Sequence, residues 1–209
     1  MKTRRALNGA SRMTQARAAL GRPPVAAINH SRARLQVWFK QTAPLIEWDR
    51  MASPLGRLFV GFSRRGLCAV DFGRSEADFF ARFDPRTRLE RNPQAVGQAI
   101  AQLREYFSGA RAQFNLAVDL SSLTPFQRRV LDAACRIAPG QVWTYHRLAG
   151  AIGRPNSSRP VGQALGRNPI PIIIPCHRVV ASNGGLGGYS GGSGLKAKRW
   201  LLQLEGALS

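Results

Sequence analysis

The segment IPIIIPCHRVV, residues Ile170–Val180, combines a run of β-branched side chains with two prolines, a cysteine and a histidine. β-branched residues favour extended backbone, so the run predicts an extended segment buried in a core, which Pro175 ends. Cys176 is then held at the end of a rigid segment with His177 beside it. A thiol becomes a good nucleophile as a thiolate, which requires a base or a cation nearby. Cys176 is therefore a candidate nucleophile, and a buried cysteine without a chemical role is the alternative.

A helical region precedes this segment in the C-terminal half of the chain. Thr124-Pro125 is typical of a helix start, and Pro139-Gly140 predicts the end of that helix. A second helix is predicted over Tyr145–Ile152 and a third from about Arg159 to Arg167. Two short helices joined by a tight turn that contains glycine indicate a helix-turn-helix.

The region before Leu120 has the pattern of a small sheet with helices. Short apolar runs separated by turn signals predict an antiparallel meander, and a capping box and an Asn-Pro pair predict two helices. The strands are expected at Leu45–Asp49, Arg57–Phe62, Leu67–Phe72 and Phe114–Val118, and the helices from Ser75 to about Phe83 and from Asn92-Pro93 to Gly109. The sequence thus predicts an α+β protein, with a small N-terminal domain (44–120) that carries an antiparallel sheet and a mostly helical C-terminal domain (121–209).

The charge of the chain is strongly positive. Lys and Arg number 31 against 11 Asp and Glu, which gives a formal net charge of +20. Such an excess attracts polyanions, so nucleic acid is the first partner to consider and an anionic membrane surface the second. No apolar run approaches the roughly 20 residues that cross a bilayer, so we do not expect an integral membrane protein.

Residues 1–43 contain basic side chains and no acidic one. Their weak apolar periodicity and Pro23-Pro24 predict a flexible, disordered basic arm. The same composition suits an organellar transit peptide, and an upstream start codon assigned in error would look the same. All three interpretations stay open. We expect a cytoplasmic, nucleoid-associated protein if the source is bacterial, and organellar targeting is the alternative.

Three cysteines, Cys68, Cys135 and Cys176, fit no zinc spacing, so we expect no metal site. They are typical of reduced thiols in a reducing compartment, with at most one of them reactive. Small and apolar neighbours predict that Cys68 and Cys135 are buried and without a chemical role.

The residues around Cys176 resemble the signature of the O6-alkylguanine-DNA alkyltransferases, also called methylated-DNA–protein-cysteine methyltransferases. The signature is PCHRV at 175–179, and a looser similarity at the SPLG turn (53–56) extends over residues 44–120. Further motifs of the family are TPFQ at 124–127, YHRLA at 145–149, RNP at 167–169, GYSGG at 188–192, KRWLL at 198–202 and EG at 205–206. Several spaced motifs in one order argue against a chance match.

The resemblance implies DNA repair by direct alkyl transfer. The family moves the alkyl group of O6-alkylguanine irreversibly onto its own cysteine, so each molecule acts once and needs no cofactor. The implied partner is double-stranded DNA containing O6-alkylguanine. We expect a monomer that binds no membrane.

The resemblance also implies the catalytic residues. Cys176 is the nucleophile, His177 takes the thiol proton through a water, and Glu205 orients His177. Tyr145 gives a proton or a hydrogen bond to the departing guanine. Taken alone, Glu205 would be a solvated charge near the C-terminus and Tyr145 a core aromatic.

The reacting atom cannot be reached within a stacked duplex, so the damaged nucleotide must be flipped out. The resemblance places the third predicted helix in the minor groove, with Arg159 in the space of the extruded base. It also implies that Asn168 braces two active-site segments by hydrogen bonds. The resemblance further implies that the alkylguanine pocket is lined by the backbone groups of Val179 and Val180 and by Tyr189 and Ser190.

Residues 183–194 contain seven glycines and predict a loop whose backbone can approach a ligand closely; we call it the glycine-rich loop. Three features depart from the family pattern: Pro160 stands where a small residue is usual, Ser193-Gly194 lengthens the glycine-rich loop, and the arm 1–43 has no counterpart. Two other functions also remain. A lesion-binding protein of the same fold would lack the reactive cysteine, and the presence of Cys176 argues against it. A transcription regulator would use the helix-turn-helix to bind one sequence without a lesion.

Overall fold

The structure is a computed structural model that describes residues 29, 32–34, 42–73 and 75–208. The chain divides into Met1–Ala43 and a compact unit, Pro44–Ser209. The predicted basic arm therefore lies almost wholly outside the described residues. Pro44–Ser209 is the α+β unit that the sequence predicts, and the predicted boundary near Leu120 remains a prediction.

The N-terminal sheet has three antiparallel strands, as predicted, and a fourth that the sequence did not predict. The strands are β1 (Leu45–Ser53), β2 (Gly56–Ser63), β3 (Gly66–Asp71) and β4 (Arg88–Arg91), in the order β3-β2-β1-β4. β4 pairs in parallel with β1. Its sequence is mostly charged, so its extended state depends on pairing with the edge of β1 rather than on local propensity.

Two helices accompany the sheet. Helix α1 (Glu76–Phe80) begins at a Ser75–Asp78 capping box, as predicted, but ends before Phe83. Helix α2 (Pro93–Phe107) begins at Asn92, whose side chain accepts hydrogen bonds from the first backbone amides. It packs its buried face, which includes Tyr106, against β1 and β2.

The strand predicted at Phe114–Val118 is wrong. Val118 forms an isolated bridge with Leu67, and residues 114–118 form no strand. Backbone hydrogen bonds from Leu67 to Ala117 and from Asp119 to Leu67 satisfy this part of the β3 edge. Phe114 and Leu116 instead pack against the core, whereas Val118 is exposed, so the alternation arises without a ladder.

The C-terminal part is mostly helical, as predicted. Its elements are α3 (Pro125–Ala134), β5 (Trp143–Thr144), α4 (Tyr145–Ala151), α5 (Ser158–Gly166), a 3-10 turn (Cys176–Arg178), β6 (Val179–Val180) and α6 (Leu195–Leu204). β5 and β6 form a short parallel pair. Helix α3 has the predicted Thr124 cap but ends at Ala134, earlier than Pro139. Helices α4 and α5 pack together and form the predicted helix pair.

The segment before Cys176 is not extended, contrary to the prediction. The Ile174 amide donates to the Ile170 carbonyl over 3.0 Å, so the chain reverses within five residues. Ile172 has a φ of 75°, a conformation that costs a β-branched residue about 1–3 kcal/mol. Ile170, Ile172 and Ile174 are all buried, and this burial offsets the strain. Tertiary packing therefore overrides the β-propensity of the run.

One hydrophobic core joins the sheet, α2 and the C-terminal helices, and Cys176 lies at its edge. A smaller aromatic cluster around Trp48, Phe59 and Phe79 fills the outer face of the sheet. No helix of the described residues is long and apolar enough to cross a membrane.

Candidate active site

Cys176 opens the 3-10 turn, and its residue surface is only 6 % exposed. Its sulfur accepts a hydrogen bond of 3.2 Å from Asn168 Nδ2. Burial raises the pKa of the thiol, while the Asn168 hydrogen bond and the charge of Lys198 oppose that shift. The resting group is thus a neutral thiol, and the Asn168 amide and the Lys198 charge partly offset the cost of forming a buried thiolate.

Asn168, just after α5, holds the strained turn in place. Its Nδ2 also donates to the Ile174 carbonyl over 2.8 Å, and its Oδ1 accepts from the Ile170 amide over 3.0 Å. One amide side chain therefore ties both ends of the turn to the sulfur of Cys176. This geometry agrees with the bracing role that the resemblance implies for Asn168.

His177 is fully buried, and its Nε2 lies 3.0 Å from Glu205 Oε1. Burial lowers the pKa of the imidazole, and Glu205 opposes that shift. With Nε2 protonated toward the carboxylate, Nδ1 is left as an acceptor. Within the described ranges, Nδ1 has no hydrogen-bond partner, and no hydrogen bond joins His177 to the sulfur of Cys176. The imidazole is a neutral base with one nitrogen free to take a proton.

Glu205 follows α6 and is not the solvated charge that its position near the C-terminus suggests, because its side chain is 4 % exposed. Arg178 binds it with two hydrogen bonds of 2.8 Å, and another nitrogen of Arg178 donates to the Ile137 carbonyl. Burial alone would raise the pKa of the carboxyl. Hydrogen bonds from His177 and Arg178 outweigh burial and lower this pKa to about 2. Glu205 is therefore a permanent anion behind His177.

Two further residues belong to the site, and sequence reasoning assigned neither of them a role. The Tyr106 hydroxyl, from α2, donates to Glu205 Oε1 over 2.7 Å. Lys198, from α6, donates to the carbonyls of Val179 and Gly188. Lys198 stands among buried apolar positions of α6, a pattern that could have marked it, whereas nothing local marks Tyr106.

Burial lowers the pKa of the Lys198 ammonium to about 8, and the charge of Cys176 opposes that shift. The ammonium nitrogen also lies 5.9 Å from the centre of the Tyr145 ring. The Lys198 cation thus interacts with both the Cys176 sulfur and the Tyr145 ring.

A cavity of about 190 Å³ opens in front of the sulfur. Its walls come from α4, α5, the 3-10 turn and the glycine-rich loop, and its lining residues are Tyr145, Gly162, Leu165, Gly166, Cys176, Gly188, Tyr189 and Ser190. The Tyr145 hydroxyl donates to the Gly188 carbonyl over 3.4 Å, and burial raises the pKa of this phenol. A phenol that keeps its proton is suited to hydrogen-bond donation toward a bound base.

Two glycines allow the loop backbone to lie close against the tyrosine rings that line the cavity. Gly187 has a φ of 69°, and a Cβ there would lie 2.7 Å from the Tyr145 ring. A Cβ at Gly191 would lie 2.9 Å from the Tyr189 ring. The loop therefore approaches both rings more closely than any other residue type permits.

The structure brings together Cys176, His177, Glu205, Tyr145 and Asn168, and it places Tyr189 and Ser190 on the cavity wall. Val179 and Val180, which were expected to line the pocket, are absent from its walls in the described part of the chain. The Val179 carbonyl is instead taken by Lys198, and both valines pair with β5. Val179 and Val180 therefore contribute backbone contacts beside the site and do not line the cavity.

Arg159 is the second residue of α5 and is exposed. In the ranges that the structure describes, it forms no hydrogen bond or ion pair, so its guanidinium is available to an external partner. Pro160 lies in the first turn of the helix, where proline is tolerated, and the Val161 amide still bonds to Ser157 over 2.9 Å. The departure at Pro160 therefore leaves the helix intact.

The other two cysteines lie outside this arrangement. Cys68 is half-buried and donates to the Gly61 carbonyl over 3.3 Å. Cys135 is exposed, which corrects the prediction that it is buried, because α3 ends before it. Over the described residues, no group of three or more His, Cys, Asp or Glu side chains could hold a metal ion.

Two family models match the chain. The 6-O-methylguanine DNA methyltransferase ribonuclease-like domain matches residues 46–120, and the DNA binding domain of the same methyltransferase matches residues 125–207. A methylated-DNA–protein-cysteine methyltransferase of Methanosarcina barkeri is 40 % identical over 160 residues, covering 76 % of this chain and 96 % of the relative. Its counterpart from Salmonella typhimurium is 47 % identical over 168 residues, covering 77 % and 95 %.

Solved structures give the same grouping. The Mycobacterium tuberculosis O6-methylguanine methyltransferase superposes with a TM-score of 0.68 at 34 % identity, covering 78 % of this chain and 94 % of that one. The M. tuberculosis OGT in complex with DNA superposes with a TM-score of 0.67 at 34 % identity, covering 77 % and 93 %. These comparisons concern the sheet and the helices described above.

Proposed function

The chain belongs to the family of methylated-DNA–protein-cysteine methyltransferases, which repair DNA by alkyl transfer to a cysteine, and on this premise we propose that Cys176 is the accepting residue. The observation that carries the proposal is the position of its sulfur. Cys135 also lines a cavity, but among the cysteines of the described residues only Cys176 combines a cavity with a neighbouring base–carboxylate pair. A neutral imidazole and a fixed anion are the arrangement that activates a nucleophile.

The reaction is a displacement at the alkyl carbon. The thiol proton passes to His177, through a water between Nδ1 and the sulfur, and Glu205 stabilises the imidazolium that forms. The sulfur then bonds to the alkyl carbon while the bond from carbon to O6 breaks, and the electron pair leaves with guanine. Tyr145 donates a hydrogen bond to the base as this negative charge develops. The guanine takes up one proton from solvent, and the proton that His177 took from the thiol returns to solvent, so the protons balance. The thioether is not reversed, so each molecule reacts once and no cofactor takes part.

The substrate is O6-alkylguanine in double-stranded DNA. The cavity is too small to admit a duplex, so the nucleotide enters it flipped out. Exposed arginines on or beside α4 and α5 supply phosphate contacts, and Arg159, which is free of protein partners in the described ranges, takes the place of the base. Tyr189 and Ser190 contact the alkylguanine from the loop. The exposure of these arginines and the positions of Tyr189 and Ser190 on the cavity wall support these contacts.

One chain supplies every residue of the site, which supports a monomer as the working form. Three free cysteines suit a reducing compartment, which supports the cytoplasm. Sedimentation of the protein with and without duplex DNA tests the first point, and fractionation of the source cells tests the second.

The experiment for the central proposal is alkyl transfer followed by peptide mass spectrometry. The protein is incubated with a duplex that contains O6-methylguanine, digested and analysed. A methyl group on the peptide containing Cys176 supports the proposal, and a methyl group elsewhere or no transfer contradicts it. The Cys176→Ala variant should lose transfer while its DNA affinity stays nearly unchanged. The lesion-binding alternative predicts tight binding to the same duplex with no transfer.

We also propose that three segments of the chain have different roles. Residues 121–209 carry the DNA-binding and reactive elements, residues 44–120 support them, and the basic residues 1–43 add phosphate contacts. Each phosphate contact releases counterions and steepens the salt dependence of binding. Deleting residues 1–43 should therefore lower the slope of log affinity against log salt. An unchanged slope would assign this segment to another task.

A further inference from the structure

We propose that Tyr106 is a positioning residue for alkyl transfer, and that its hydroxyl limits how much of the negative charge of Glu205 reaches His177. The inference rests on the proposed function, in which His177 is the base for Cys176. It starts from a contact between residues 99 positions apart, the hydrogen bond of 2.7 Å from Tyr106 to Glu205 Oε1. Tyr106 thus connects helix α2 to the reacting residues through Glu205.

The two oxygens of Glu205 are unequally occupied. Within the part of the chain that the structure describes, Oε1 accepts from His177 at 3.0 Å, from Arg178 at 2.8 Å and from Tyr106 at 2.7 Å, whereas Oε2 accepts from Arg178 alone. The two hydrogen bonds from Arg178 already determine the position and plane of the carboxylate. The Tyr106 hydroxyl is therefore not needed to hold Glu205, and it competes with His177 for the same oxygen.

The surroundings of Tyr106 fix both the position of its ring and the protonation state of its hydroxyl. It is 1 % exposed, and its ring packs against Phe107 and Phe114 with centroids 5.6 and 5.4 Å apart. Burial, followed by the charge of Glu205, raises the pKa of the phenol, so it keeps its proton and can only donate to the carboxylate. A donor with fixed geometry in a dry site lowers the acceptor strength of Oε1 at every working pH.

The effect on His177 follows from the groups that face the pair. Arg178 contacts Glu205 from the 3-10 turn, Tyr106 faces it from α2, and Tyr189 interacts with it from the glycine-rich loop. Lys198 acts on His177 from α6. The raised pKa values of the two phenols keep them neutral, so the Tyr106 hydroxyl controls the negative charge left on Oε1. Less charge there makes the imidazolium less stable, which keeps His177 neutral and able to accept the thiol proton.

The test is Tyr106→Phe in the full chain, which removes one oxygen and keeps the ring packing. Single-turnover transfer from O6-methylguanine duplex is measured against pH, and His177 is titrated by NMR. The released charge on Oε1 should raise the pKa of His177, so the acid limb of the rate profile should move up by about half a pH unit or more. Transfer to Cys176 should persist above that limb.

Gln102 offers a matched control on the same helix. It is also buried, and its side chain makes two hydrogen bonds to the backbone of Asn115, away from the site. Gln102→Met should lower the melting temperature without moving the acid limb. An equal shift in both variants, or no shift in Tyr106→Phe, overturns the proposal.

If Tyr106→Phe does not fold, 3-fluorotyrosine at position 106 provides the second measurement. The fluorinated phenol is a stronger donor, so the acid limb should move down instead of up. A limb that stays in place or moves up contradicts the role given to the hydroxyl. Failure of the proposed function is distinct from both outcomes, because the wild-type protein would then transfer no alkyl group at any pH.

Discussion

The two sides of the Cys176 sulfur differ in how tightly they are built. On one side, the side chains of His177, Arg178 and Glu205 are buried and joined by hydrogen bonds between 2.8 and 3.0 Å. On the other side, Tyr145 is half-buried and its hydroxyl makes one hydrogen bond of 3.4 Å to the glycine-rich loop. We call these the relay side and the substrate side. The proton-transfer groups are in place before DNA arrives, whereas the groups that meet the base retain room to adjust.

This difference follows from the timing of the reaction. A base and its carboxylate act well only if their geometry needs no reorganisation at the moment of transfer. A pocket that takes in a flipped nucleotide must instead open, admit a ring and close around it. The variants that follow are chosen to affect one side and spare the other.

The largest effect is expected from Glu205→Gln on the relay side. The change leaves the buried Arg178 without its anion, so the free energy of unfolding should fall by about 3–5 kcal/mol. Loss of the anion behind His177 should also slow transfer by about two orders of magnitude. Denaturant unfolding and single-turnover transfer measure the two effects.

Glu76→Gln is the control for this change, because Glu76 pairs with Arg50 on the surface. Its free energy of unfolding should change by about 1 kcal/mol or less. Similar losses of unfolding free energy in both variants would mean that the buried ion pair of the relay side contributes no more to stability than a surface pair.

The second largest effect is expected from low pH, which should remove the contribution of ionised Glu205 to the unfolding free energy. The pKa of Glu205 is about 2 in the folded protein against an ordinary 4.5. A carboxyl with a lowered folded pKa contributes stability that is fully present above its unfolded pKa and is lost as the pH falls toward the folded value. The unfolding free energy should therefore decrease by about 3 kcal/mol between pH 4.5 and 2 from this group alone.

The measurement is denaturant unfolding at several pH values across that range. The Glu205→Gln variant lacks the titrating group, so its stability should depend less steeply on pH there. Equal slopes in the two proteins would show that other carboxylates account for the acid sensitivity.

On the substrate side, Gly187→Ala tests the close approach to Tyr145. The new Cβ would lie 2.7 Å from the Tyr145 ring at a φ of 69°, so the ring or the loop must move. We expect a stability loss of about 1–2 kcal/mol and a slower transfer from DNA. The acid limb of the rate profile should stay in place, because the relay side is untouched.

Gly184→Ala separates backbone strain from the contact with Tyr145. Gly184 also has a positive φ, of 82°, but a Cβ there meets nothing within 4 Å. It should lose stability without losing transfer. If both variants lose transfer equally, the loop acts through its conformation and not through Tyr145.

The sequence was sufficient wherever structure depends on neighbouring residues. Cap residues and prolines mark the starts of α2 and α3, because those signals act within one helical turn. Cys176 and His177 are adjacent in sequence and were identified together. The position of Asn168 was likewise implied by motifs close to the cysteine.

The sequence was insufficient wherever the local structure or a contact depends on residues that are far apart in the chain. β4 is extended because β1 lies beside it, and Ile172 adopts a positive φ because its neighbours are buried. The contact from Tyr106 to Glu205 joins residues 99 positions apart. Periodicity shows that Tyr106 is buried, but only the folded chain shows which oxygen it meets.

The smallest effect is expected at Cys68, where burial raises the thiol pKa as it does at Cys176 but the hydrogen bond runs in the opposite direction. The Cys68 sulfur donates a hydrogen bond to a carbonyl, whereas the Cys176 sulfur accepts one from an amide. Burial, followed by the charge of Asp119, raises the pKa of the Cys68 thiol to about 11, so on the order of one molecule in a thousand holds this thiolate near pH 8. Cys68→Ala should leave the transfer rate unchanged and lower the unfolding free energy by about 1 kcal/mol. Peptide mapping after brief iodoacetamide treatment should find Cys68 unmodified, and modification there as fast as at Cys176 would show that hydrogen-bond direction does not separate the two thiols.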